Sequence, residues 1–155
     1  MDDSDLFSAQ YGPGYCDDLT YWQVFISRNR WLRQKVVVYH QGTEFHNHVL
    51  WFWAKLSRQD MAKLWEIVDR IGFRGFRRWY SHEKMIVTNL DDYLISVRFP
   101  DHLKEVYAYA LPMLSDEQQP DMIGMAELWR TIISHTPYGK VPMAEGLPRP
   151  WWRCW

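Results

Sequence analysis

From Tyr21 onward the hydrophobic positions fall in short runs, and their period switches between two and about 3.6 residues along the chain. Tyr21-Trp22-Gln23-Val24-Phe25-Ile26 is aromatic and β-branched, as strands prefer. A basic connector follows (Arg28, Arg30, Arg33, Lys35), and Val36-Val37-Val38-Tyr39-His40 reads as a second strand. Gln41-Gly42-Thr43 reads as a tight turn, and residues 44–55 return as a third strand, polar at first and aromatic at its end. Ser57 and Asp60 then stand in the spacing of a capping box. Met61, Leu64, Trp65, Val68 and Ile71 recur at helical spacing and Gly72 sits where a C′ glycine belongs, which predicts an amphipathic helix over 58–71. Residues 85–87 read as a short strand. Residues 93–99 and 104–111 alternate as a hairpin joined through Pro100-Asp101-His102-Leu103. Pro120 and Asp121 open a second helix that runs to about residue 134, with Met122, Met125, Ala126, Trp129, Ile132 and Ile133 on its apolar face.

Both ends depart from this pattern. Residues 1–20 hold five aspartates and no Lys or Arg, with Tyr11-Gly12-Pro13-Gly14 as a breaker cluster, and read as an irregular acidic arm. Residues 136–155 form a tail rich in Pro and Trp. The expectation is therefore one α+β domain over 21–135. Its core is an antiparallel sheet of five or six strands with two helices packed on one face. Many strand positions are apolar on both faces, so the second face also needs cover from the tail, the arm or another protein.

The order and local wording resemble a family of bacterial domains of unknown function. The likeness rests on Ile26-Ser27-Arg28, on Tyr39-His40-Gln41-Gly42-Thr43-Glu44-Phe45, and on Trp51-Phe52-Trp53-Ala54-Lys55-Leu56-Ser57. Phe73, the Asp91/Asp92 pair and Lys104-Glu105-Val106 are also similar, so it covers about residues 21–135. The cysteine-rich connector of some members is absent here. The resemblance implies a fold order and carries over no active site.

Composition narrows the class. Eighteen Lys+Arg against nineteen Asp+Glu leave a net charge of −1, which excludes a nucleic-acid coat held by bulk charge. Ten Trp, nine Tyr and seven Phe exclude global disorder. Met1-Asp2-Asp3-Ser4-Asp5 has neither a basic nor an apolar leader segment, and the longest apolar run, Val49 to Ala54, is far short of the roughly 20 residues of a membrane span. A cytoplasmic protein is expected, with Cys16 and Cys154 as reduced thiols.

Candidate chemistry is sparse. Glu44, His46 and His48 at i, i+2 and i+4 share a strand face and make a two-His-one-carboxylate set suited to a divalent metal. His40 has the same parity, but it precedes the turn, which leaves its facing open. Arg74, Arg77 and Arg78 interleave with Phe76, Trp79 and Tyr80, the mixture that a single-stranded nucleic acid or a protein partner engages. Ser81-His82 would face opposite sides of a strand, and neither a nucleophile elbow nor a phosphate-cradling glycine loop occurs. Catalytic residues and cofactors are therefore not expected.

The surplus of aromatic residues points instead to protein recognition, where Trp and Tyr are enriched. Trp151, Trp152 and Trp155 in the tail, Arg77, Arg78 and Trp79, and the acidic Asp17 and Asp18 are the expected contact residues. The function expected is a protein-binding module, in its most concrete form an immunity-type inhibitor that neutralises a toxin or effector. The alternatives are a metal-dependent hydrolase or nuclease using Glu44, His46 and His48, and a structural subunit of a larger assembly.

Overall fold

A computed structural model describes residues 1–14, 18–40, 46–81, 90–116 and 119–137; of residues 18–20, 38–40, 46–48 and 116 it describes the backbone alone. Seven strands form one sheet: β1 (Asp5–Gly12), β2 (Asp18–Ser27), β3 (Trp31–His40), β4 (His46–Lys55), β5 (Trp79–Tyr80), β6 (Asp92–Arg98) and β7 (Leu103–Tyr109). Their spatial order is β4-β3-β2-β1-β6-β7-β5. Every pairing is antiparallel except the two-residue β5, which runs parallel to β7. Three α-helices are also present among the described residues: α1 (Arg58–Arg70), α2 (Leu111–Asp116) and α3 (Pro120–Ser134). The architecture is α+β as expected, with a larger, mixed sheet and one more helix.

The chief correction concerns the acidic arm. Residues 5–12 are not irregular: β1 is the middle strand of the sheet and pairs with β2 on one side and β6 on the other. Phe7, Ala9 and Tyr11 alternate into the core, a period-two pattern that the flanking aspartates and the small Ala9 obscure. A register shift between Asp5 and Phe7 makes Asp5 the partner of Ser27, on the sheet face that carries Arg33. There its carboxylate is fully buried and accepts two hydrogen bonds from Arg33 Nη2, at 2.8 and 2.9 Å. The basic connector is likewise a strand for most of its length, because β3 starts at Trp31 and places Arg33 and Lys35 in the ladder.

The helices cover one face. Trp129 of α3 packs against Trp22 and Tyr93, and Trp65 of α1 against Phe7 and Phe99. The α1 cap forms as its sequence requires: the Ser57 hydroxyl accepts from the Asp60 amide while the Asp60 carboxylate accepts from the Ser57 amide. At the junction of α1 and α3, a Cβ on Gly124 would lie 2.9 Å from Ile71 Cβ. Gly124→Ala is therefore expected to destabilise by about 1–3 kcal/mol in urea unfolding, overpacking outweighing the roughly 1 kcal/mol by which helix propensity favours Ala.

Candidate functional site

The face opposite the helices is built by register. One row crosses all seven strands in the order Trp51, Lys35, Gln23, Gln10, Leu94, Tyr107 and Trp79. At about 4.8 Å per strand it spans about 29 Å. Its middle is polar and closed on itself, with Gln23 Nε2 donating to Gln10 Oε1 at 2.8 Å. Both margins are tryptophan.

At one margin β4 is an edge strand, and Val49, Trp51 and Trp53 lie on this open face together with Trp31 of β3. All four are between 43 and 58% exposed, whereas the core residues beneath are almost fully buried. The Trp51 and Trp53 rings stack at 6.3 Å, and the Lys55 ammonium lies 4.5 Å from the Trp31 ring centroid. Lys35 is the cross-strand partner of Trp51, and no acid pairs with it among the described residues. Contiguous exposed apolar surface of this kind, on a strand with one edge unpaired among the described residues, marks an interaction site.

At the other margin Trp79 is 57% exposed and stacks on Tyr107 at 3.9 Å, over a concavity of about 390 Å³ lined also by Arg78, Leu94 and Glu105. Arg78 reaches Glu105 only at 3.8 Å, and Arg77 lies over the Tyr80 ring. The expected trio Arg77, Arg78 and Trp79 is thus split: Trp79 faces the open sheet beside Arg78, while Arg77 lies over the ring of Tyr80, whose hydroxyl donates to Asp121 of α3. Tyr107 in turn donates to Asp92. Burial first, and these carboxylates next, push both tyrosine pKa values up. A group whose folded pKa is raised loses its stabilising contribution as pH rises past the unfolded value near 10. Unfolding stability is therefore expected to fall between pH 10 and 12, and to fall less steeply in Tyr107→Phe, as urea titrations at stepped pH can measure.

A second concavity of about 590 Å³ lies at the helix-side end of β1, between Leu6, Trp65, Phe99 and Pro100, with Arg28, Arg74 and Arg98 at its rim. Two of the three cations are already engaged: Arg74 with Asp101 and the Phe99 ring, Arg98 with Asp3 and the Asp5 carbonyl.

Other expected site residues fall differently. Asp17, Glu44, Trp151, Trp152, Trp155 and both cysteines lie outside the described residues. Asp18 opens β2, and His46 and His48 lie in β4. Asp91 accepts from the Gly14 amide, 77 residues away, and from the Tyr93 hydroxyl, so it ties the chain beyond β1 to the start of β6 by a long-range contact rather than a local Asx turn. Among the described side chains no group of three His, Cys, Asp or Glu can hold a metal. No described helix is long and apolar enough to cross a membrane. The β3–β4 tryptophans were missed as a site, although their signal was present as a strand apolar on both faces. No protein-family model matches the chain, and a search of curated proteins gives no match either.

Proposed function

We propose that this protein is a protein-binding module whose contact surface is the β3–β4 margin. It takes up an extended acidic segment of its partner as an added strand on β4. The observation that carries this reading is the exposed stripe Trp31, Val49, Trp51 and Trp53 beside an edge of β4 that is unpaired among the described residues. Main-chain hydrogen bonds to the edge supply affinity, and the tryptophans select alternate side chains of the incoming strand. Charge supports an acidic occupant. Residues 28–58 hold six Lys or Arg (Arg28, Arg30, Arg33, Lys35, Lys55, Arg58) against one acid, Glu44, in a chain whose net charge is −1. The same charge opposes pairing of β4 with a second copy of itself. Nucleic acid is less favoured, because Arg33 is neutralised by Asp5 while Arg30 and Lys55 are spent on the Leu56 and Asn29 carbonyls. Neutralising a toxin or effector is the most concrete form such a module takes.

Random peptides displayed on phage and panned against the full chain test this reading, with Trp51→Ser/Trp53→Ser as the counter-selecting variant. The peptides retained are expected to be acidic with alternating apolar positions. They should bind the double variant at least about thirtyfold more weakly, the loss of one hot spot of about 2 kcal/mol. The double variant should keep its fold by circular dichroism, since Trp51 and Trp53 are 43 and 58% exposed and lie outside the core cluster. Retention of basic peptides, preference for an oligothymidylate, or concentration-dependent dimerisation through β4 would each overturn it.

A further inference from the structure

The concavity of about 590 Å³ at the helix-side end of β1 combines an apolar floor with two open charges of opposite sign. Its floor is made by Trp65 and Phe99 with Leu6 and Pro100. The Trp65 ring lies 4.9 Å from that of Phe7 and meets Phe99 edge-on at 5.9 Å, so the core holds the floor in place. Asp69 stands one turn beyond Trp65 on the same side of α1. Arg28 follows β2, and its amide donates to the Ser4 carbonyl at 2.9 Å, which sets it beside the start of β1. Neither the Arg28 guanidinium nor the Asp69 carboxylate has a partner among the described residues. The two do not reach each other, although both line the same cavity.

The other charges at this place are occupied. Arg74 has Asp101 at 3.2 Å and the Phe99 ring, and Asp101 is shared with His102. Arg98 donates to the Asp5 carbonyl and has the exposed Asp3 at 3.5 Å. Arg28, Arg74 and Arg98 thus stand against Asp69, Asp3 and Asp101, and the surroundings favour neither a bulk anion nor a bulk cation. The arrangement selects by distribution instead: one open cation and one open carboxylate, with room between them, over a fixed aromatic floor.

We propose that this cavity binds a free hydrophobic α-amino acid as its zwitterion. The α-carboxylate accepts from the Arg28 guanidinium, whose planar fork matches it. The α-ammonium donates to Asp69. The side chain covers the floor of Trp65 and Phe99 and removes that apolar surface from water. Its volume lies within the about 300–1,000 Å³ usual for small-ligand sites. The cavity belongs to β1, α1 and the start of the β6–β7 connection, apart from the β3–β4 tryptophans, so it stands independently of the docking surface proposed above.

Titration of the full chain with L-phenylalanine, followed by calorimetry and by indole ¹H–¹⁵N resonances, is the test. One molecule per chain is expected to bind, with a Kd at or below about 1 mM. The Trp65 resonance should shift and that of Trp53 should stay. N-acetylphenylalanine lacks the ammonium and phenylalaninamide lacks the carboxylate. Each should bind at least about tenfold more weakly, as loss of one charge-assisted contact requires. Glycine, without a side chain to cover the floor, should be weaker by at least as much. Asp69→Asn should weaken phenylalanine but leave N-acetylphenylalanine unchanged, and Arg28→Gln should weaken phenylalanine but leave phenylalaninamide unchanged. A Kd well above about 1 mM, glycine binding as tightly as phenylalanine, or analogues binding as tightly as phenylalanine would each overturn the proposal. The analogue series needs no substitution, so it decides even where a variant unfolds.

Discussion

Trp129→Ala is expected to lower the unfolding free energy by about 3–5 kcal/mol, a large share of the 5–15 kcal/mol typical of a domain. Trp129 is fully buried and meets Trp22 at 5.1 Å and the edge of Tyr93 at 4.9 Å. It is therefore the side chain through which α3 grips β2 and β6 at once. Truncation leaves a cavity walled by rigid rings, which relax poorly into it. Trp129→Phe should cost markedly less, because the indole N–H has no hydrogen-bond partner among the described residues. The contrast with Trp53→Ala is the control. That ring is 58% exposed, so its loss should change stability by no more than about 0.5 kcal/mol. Urea unfolding of the three variants, followed by tryptophan fluorescence and circular dichroism, measures all three values.

The second large effect is Arg33→Met, for which a loss of about 3 kcal/mol is expected. The methionine keeps the aliphatic stem but leaves the Asp5 carboxylate fully buried, with, among the described residues, only the Asp2 amide donating to it at 2.9 Å. The value is set at the lower end of the usual 3–5 kcal/mol because the Arg33 side chain is 35% exposed and water reaches the vacated position. Asp5→Leu/Arg33→Met should recover most of the loss, since removing both partners of a buried pair is close to neutral. If Arg33→Met alone proves neutral, Asp5 does not depend on this ion pair. Because the pair ties β1 to β3 across β2, the variant should also unfold with a less cooperative transition.

The acidic opening segment shows why charge alone misleads. Asp2, Asp3 and Asp5 read as part of an irregular acidic arm. In the fold Asp5 is internal and Asp3 lies 3.5 Å from Arg98. The exposed aromatic surface sits instead beside the basic stretch over 28–58, which is what supports the acidic partner proposed above.

Local chemistry in the sequence determined the elements whose signals are local. The capping box and apolar stripe of α1, the proline-led α3, and the alternation of β2, β6 and β7 each follow from residues within one or two turns or strands. The same holds for the α+β class and for the excess of aromatic residues over what one core can hide. Three things needed tertiary structure. The place of β1 at the centre depends on Arg33, twenty-eight residues away, which makes a buried aspartate tolerable. The brief parallel β5 exists only because β7 offers its edge. The exposure of Trp51 and Trp53 follows from strand register and strand order, which no residue encodes by itself. A one-residue slip would exchange the two faces of β4, and the packing of Phe52 and Ala54 against the core, opposite the buried Gln34 and Leu32, fixes which face is which.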